Sequence, residues 1–114
     1  MALNTKNRVK NKKEFDEVFK RGKTVSGSFL FVRFIKSMGE FPRFGFIISS
    51  KISKKAVIRN RIKRLLSETS RLNLEKIRGV FDVITVLKTS SASTAKPDEL
   101  RRDFLTVLNR AGIL

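Results

Sequence analysis

The segment KISKKAVIRNRIKR, residues 51 to 64, constrains the fold more than any other stretch, because it sets an apolar stripe inside an unbroken run of positive charge. Ile58, Ile62, Leu65 and Leu66 recur at i, i+4, i+7 and i+8, one face of an α-helix, and four large aliphatics in a row have to be covered by another element. Seven of these fourteen residues are lysine or arginine and none is acidic, so the charge is displayed on an ordered rod. At about 100° per residue, Asn60, Lys63, Arg64, Ser67 and Arg71 fall opposite the stripe, with Arg59 and Arg61 on its flanks. A solvated surface helix usually interleaves signs to gain i, i+4 pairs of about 0.2–0.5 kcal/mol. From Phe41 to Ser67, eight basic residues meet no acid, which favours a polyanionic partner over plain solvation. Guanidinium forks suit phosphate oxygens, and asparagine adds a donor and an acceptor for a base edge or ribose.

The rest of the composition points the same way. With 26 basic and 10 acidic residues the formal charge is +16, which repels itself in the free protein and attracts nucleic acid or an anionic surface. A chain of 114 residues is the size of one domain and can bury a core without disulfides or a metal. Residues 1–114 are therefore read as a single domain, which the resemblance given below makes an RNA-binding one, with residues 1–10, rich in Lys6, Arg8 and Lys10, as an irregular, mobile basic segment. The chain has no cysteine and no histidine, which removes zinc sites, Ser/His/Asp and Cys/His nucleophiles and a histidine general base. No signal peptide and no membrane span is visible, and a cytoplasmic location is expected.

Along the chain, Asn11 and Glu14 form a capping box, Phe15, Val18 and Phe19 an apolar helical edge, and Gly22 a stop. Residues 28–36 and 43–49 read as strands joined in a hairpin through a turn at Ser37 to Glu40. The basic helix runs from about Lys55 to Leu72. VFDVITVLK at 80–88 reads as a third strand with one buried face, residues 89–96 as a loop, and Pro97 opens a helix whose stripe is Leu100, Phe104, Val107 and Leu108. Helix, strand, strand, helix, strand, helix describes an α+β sandwich, a small mixed sheet packed with three helices. The unit over 43–88 would join parallel strands, for which the general rule gives a right-handed crossover.

Three constellations have competing readings. Phe15 and Phe19 are either core or a platform on which nucleobases stack for about 1–3 kcal/mol each. Asp16, Glu17, Asp82, Asp98 and Asp103 show no spacing that dictates a shared metal site, and several sit in helix first turns where the dipole explains them. Gly22, Gly27, Gly39 and Gly45 make no phosphate-cradling motif.

The run from Lys54 to Leu65, with Ala56-Val57-x-Arg59-Asn60-Arg61-x-Lys63-Arg64, resembles the RNR signature of the protein subunit of bacterial ribonuclease P. Phe15-x-x-x-Phe19-x-x-Gly22 and Gly45-Phe46-x-Ile48-Ser49 leading to Lys51 agree in order, so the resemblance spans essentially the whole chain. It implies a fold similar to the second domain of ribosomal protein S5, with four strands and a left-handed crossover, against the general rule. Thr24 to Ser26 or Ile47 to Lys51 are candidates for the fourth strand. It also implies that a large RNA, using bound magnesium, cuts the 5′ leader from precursor tRNA, and that the protein itself has no catalytic residue. Carried over, Lys51, Lys54, Lys55, Arg59, Asn60, Arg61, Lys63 and Arg64 would dock the catalytic RNA. Phe15 and Phe19, with Arg8 and Lys12 near the path, would line a cleft for the leader. Relatives often carry glycine where Ser53 stands, and a tyrosine that falls near Phe31 to Phe34 here.

The leading expectation is thus a ribonuclease P protein whose partners are the catalytic RNA and precursor tRNA, with no DNA and no membrane. A structural RNA binder of ribosomal type is the alternative. A membrane-surface module ranks last, since the apolar stripe of the basic helix is needed for its own core.

Overall fold

The computed structural model describes residues 3–114; the first two residues of the expected irregular segment lie outside the described residues. The first helix, α1, spans Lys12–Arg21 and starts at the capping box read from the sequence: Asn11 Oδ1 accepts from the Glu14 amide at 2.9 Å, and Glu14 Oε1 accepts from the Asn11 amide at 3.3 Å. It stops at Gly22, but not through a left-handed residue, since φ there is −79°. The reason is crowding: a Cβ on Gly22 would lie 2.4 Å from the Val18 carbonyl oxygen and 3.0 Å from that of Phe34. Then follow β1 (Lys23–Ser26), β2 (Leu30–Lys36), β3 (Arg43–Ile47), α2 (Ala56–Leu72), β4 (Phe81–Leu87) and α3 (Pro97–Arg110). The fourth strand is therefore the one near Thr24 to Ser26. The 89–96 loop contains a 3-10 turn at Ser90–Ser93.

The four strands lie in the order β1-β2-β4-β3, with β2 antiparallel to β1 and β4, and β3 parallel to β4. The expected hairpin between 28–36 and 43–49 does not form; β2 pairs instead with β1, and β4 inserts between β2 and β3. Burial explains the choice. Asp82, Val83, Ile84 and Thr85 are all buried, so β4 has two covered faces rather than the one expected, and a strand apolar on both sides is most stable at the centre of the sheet. The chain leaving β2 passes the start of β4, where the Ser37 amide donates to the Val80 carbonyl at 2.9 Å.

Helices cover both faces. On one face α2 and α3 pack over Leu30, Val32, Phe44, Val83 and Leu87, burying Ile62 and Leu66 of the α2 stripe and Leu100, Phe104, Val107 and Leu108 of α3. Ile58 and Leu65 complete the α2 stripe as half-buried neighbours of this core. Phe46 and Phe104 meet edge to face with centroids 6.3 Å apart. On the other face lies α1, whose Val18 is fully buried, above β2 and β4.

Residues 3–10 are not the irregular strand of charge read from the sequence. They make a 3-10 turn at Thr5–Asn7 and run beside β3, where the Val9 amide donates to the Phe44 carbonyl at 3.0 Å and Asn7 Nδ2 to the Pro42 carbonyl at 2.8 Å. Leu3, Asn7 and Val9 are buried. Two apolar side chains and the open backbone edge of β3 supply what charge repulsion removes. Ser67, which helical geometry alone had placed outward, is buried, and Arg71 is half-buried.

Candidate RNA interface

On α2 and the loop before it, Lys51, Lys54, Lys55, Asn60, Arg61, Lys63 and Arg64 are all exposed. Ion pairs among the described residues do not include these side chains: Arg21 pairs with Glu17, Arg43 with Glu14 and Asp82, Arg101 with Asp98, and, in the last turn of α2 itself, Arg71 with Glu68. The cations from Lys51 to Arg64 are thus presented without a carboxylate partner among the described residues. Arg59 differs. It is half-buried, and its Nη1 donates to the Ser53 carbonyl at 2.8 Å, closing the loop that leads into α2. The Lys55 amide donates to Ser53 Oγ at 3.2 Å in the same loop. Val57 is 73% exposed on the side shared with Asn60, Arg61 and Arg64, an apolar spot among the charges that amphipathic patterning did not single out.

The other surface is built by α1 and the sheet face beneath it. Strand register sets Thr24, Arg33, Ile84 and Gly45 in one row across the four strands, and Ser26, Phe31, Val86 and Ile47 in the next. These two rows face the same side, because residues two apart on a strand do. Phe15 lies over Gly45: a Cβ there would meet the Phe15 ring at 2.7 and 2.9 Å, so only glycine lets the helix come this close. Phe19 lies toward β1 and β2, lining a concavity with Thr24, Ser26, Phe31 and Arg33. Phe31, Val86 and Ile47 are half-buried and make an apolar strip beside the helix. At the β3 edge a second concavity is lined by Arg8, Lys10, Phe15, Gly45, Lys63 and Ser67, among others, and this one brings the α1 side and the basic helix together. Arg8 is exposed, with Nη2 donating to Thr5 Oγ1 at 3.1 Å, and Lys12 is exposed on the first turn of α1.

One arginine on this face is neutralised. Arg43 donates from Nε to Asp82 Oδ1 at 2.9 Å and from Nη2 to Asp82 Oδ2 at 2.7 Å, a two-pronged fork, and from Nη1 to Glu14 Oε2 at 2.5 Å. Glu14 is held below the usual glutamate range, first by the Lys10 amide, 2.7 Å from Oε1, and then by Arg43, against an opposing cost of burial. The Arg43 guanidinium is held more firmly protonated than usual, first by Asp82 and also by Glu14.

Over residues 3–112 the sequence matches the family described as Ribonuclease P. The chain belongs to the ribonuclease P protein family. It is 32% identical over 111 residues to the ribonuclease P protein component of Syntrophomonas wolfei, covering 97% of this chain and 92% of that one. It is 35% identical over 108 residues to that of Clostridium botulinum strain Langeland, covering 94% and 96%. The fold is similar to that of the RNase P protein from Thermotoga maritima solved with 1-(4-fluorophenyl)-2-thiourea, with a TM-score of 0.83 at 26% identity over 90% of this chain and 98% of that one. As a ribonuclease P protein it is a subunit of an endoribonuclease that works in tRNA processing, its partner is the RNA subunit, and the RNA carries out the catalysis.

Sequence alone placed the ribonuclease P signature on α2 and put Phe15 and Phe19 on one helix. It did not show that Phe31 and Arg33, rather than Val32 and Phe34, face α1, nor that Ile47 and Val86 lie beside them. The alternation of β2 allowed either face, and only pairing with β4 chose one. Among the described residues no three acidic side chains gather as a metal site, and no helix is long and apolar enough to cross a membrane.

Proposed function

We propose that the free cationic face of α2 docks this chain on the catalytic RNA of ribonuclease P, and that the groove beside α1 receives the single-stranded 5′ leader of precursor tRNA. The observation that carries this reading is a segregation: Arg21 on α1 and Arg43 on the sheet are paired with carboxylates, and Arg33 on the sheet with a carbonyl and a hydroxyl, whereas Lys51, Lys54, Lys55, Arg61, Lys63 and Arg64 face solvent with no carboxylate partner among the described residues. Lys51, Lys54, Lys55, Asn60, Arg61, Lys63 and Arg64 contact phosphate and ribose, and Arg59 keeps the loop in shape while offering its remaining N–H groups. Phe15 and Phe19 offer rings to leader bases above the Phe31 strip, a mode that tolerates sequence because every base has a π-face. Arg8 and Lys12 follow the leader backbone.

The chain acts as one RNA-binding domain in the cytoplasm, with no role for DNA or a membrane. In this reading the magnesium used in cleavage is held mainly by the RNA subunit. The test is salt dependence. Replacing Arg61, Lys63 and Arg64 together by alanine should lower affinity for the catalytic RNA and reduce the log-log salt slope by about 0.7 unit per lost phosphate contact. An unchanged slope rejects the docking face. Phe19→Ala should weaken binding of precursor more than of mature tRNA; equal loss on both rejects the groove.

A further inference from the structure

The first helix is fastened to the sheet at both ends by arginines, and neither fastening is needed to explain the hydrophobic packing of Val18 beneath it. At the N-terminal end, β3 sends up Arg43, which grips Asp82 of β4 with two nitrogens and Glu14 of α1 with the third. Glu14 is also the acceptor for the Lys10 and Asn11 amides, so one carboxylate ties the start of the helix, the N-terminal segment and the sheet together. At the C-terminal end, β2 sends up Arg33, whose Nη2 donates to the Phe19 carbonyl while Nη1 donates to Thr24 Oγ1 at 2.7 Å. The Phe19 carbonyl belongs to the last turn of α1, where no helical amide follows to take it.

Two features argue that these contacts serve the groove. In a chain with only 10 acidic residues, two of them, Glu14 and Asp82, are committed to a single arginine, and each of the three Arg43 nitrogens already has an internal carboxylate acceptor. Arg33 in turn holds its geometry although its Nε is buried without an acceptor. Each arginine also meets α1 next to a ring: Glu14 precedes Phe15, and the carbonyl that Arg33 takes is that of Phe19 itself. Without these ties a ten-residue helix, too short to be stable alone, rests on the sheet through the buried Val18 and the half-buried Phe15 and Phe19 rings, and could slide or tilt.

We propose that Arg43, through Glu14, and Arg33, through the Phe19 carbonyl, are positioning residues that set the height and tilt of α1 over the sheet, and thereby the discrimination between precursor tRNA and mature tRNA. This rests on the leader-groove reading above. The leader meets a gap of set width between two rings and the Phe31 strip, and its binding does not have to supply the ordering of the helix.

The experiment uses the full chain assembled with its catalytic RNA and compares affinities for precursor and mature tRNA. Glu14→Gln keeps an oxygen for the Lys10 and Asn11 amides and removes the charge that Arg43 holds. It should lower the precursor-to-mature affinity ratio by about three- to tenfold while leaving affinity for the catalytic RNA unchanged. In a Phe15→Ala background the same substitution should have little further effect, because a positioning residue loses its effect when the ring it positions is gone. Full additivity, or an unchanged ratio in Glu14→Gln alone, overturns the proposal. Should Glu14→Gln fail to fold, Arg33→Met and Arg33→Lys decide: the first should lower the ratio and the second largely restore it, and equal behaviour of the two overturns it. Phe15→Ala and Phe19→Ala alone separate the two levels. If neither alters the ratio, the groove itself is wrong; if both do and the arginine and glutamate variants do not, only the clamp is.

Discussion

Helices α1 and α2 solve opposite problems with the same residue type. The seventeen-residue α2 is seated by its own apolar stripe, with Ile62 and Leu66 buried, and can leave Arg61, Lys63 and Arg64 to solvent. The ten-residue α1 buries one valine and is located by charge: Arg43 with Glu14 at one end, Arg33 on the Phe19 carbonyl at the other. A cation is therefore free for RNA where hydrophobic area already fixes the element, and is used internally where it does not.

The largest effect that would sharpen this contrast is loss of the α2 seat. Leu66→Ala removes a fully buried side chain and should cost about 2–5 kcal/mol, seen as a fall in melting temperature that weakens both RNA surfaces together. Gly45→Ala should cost less, about 1–3 kcal/mol, by pushing a Cβ into the Phe15 ring. Its signature is selective: precursor discrimination falls while affinity for the catalytic RNA holds, and loss of both to the same degree would show that α1 and α2 are not independent.

Glu14→Gln should cost about 1–2 kcal/mol near neutral pH in a denaturant titration. Its carboxyl is held below the ordinary value in the folded chain, so the unfolded chain binds the proton more readily and the contribution is fully present above the unfolded pKa. It is lost as pH falls through the folded value. The gap between parent and variant should therefore be constant around neutrality and close on the acid side; a gap that widened with acid would contradict the assignment. Arg21→Ala marks the small end: its pair with Glu17 is exposed, and its removal should change stability by no more than about 0.5 kcal/mol.

Much of this could be read from the chain because its signals are local. The capping box at Asn11 and Glu14, the α2 stripe, Pro97 at the head of α3 and the ribonuclease P signature each lie within a few turns of sequence, and local hydrogen bonding and helical period decide them. The hairpin was misread because adjacency in sequence favours pairing neighbours, while the two-sided burial of β4 is a property of the assembled layers. The ordering of Leu3 to Lys10 escaped composition for a related reason: the edge of β3 that receives it does not exist until the sheet forms.

What the sequence by itself determined was the existence of a basic amphipathic helix, the absence of histidine and cysteine chemistry, and membership in a family whose chemistry is done by RNA. The tertiary structure alone decided which arginines are spent and which are free, which side of β2 meets α1, and how near Phe15 lies to β3. Those depend on contacts between residues dozens of positions apart, such as Glu14 with Arg43 and Arg43 with Asp82, and pairing over such separations is settled only when burial of the whole sheet brings the partners within hydrogen-bonding distance.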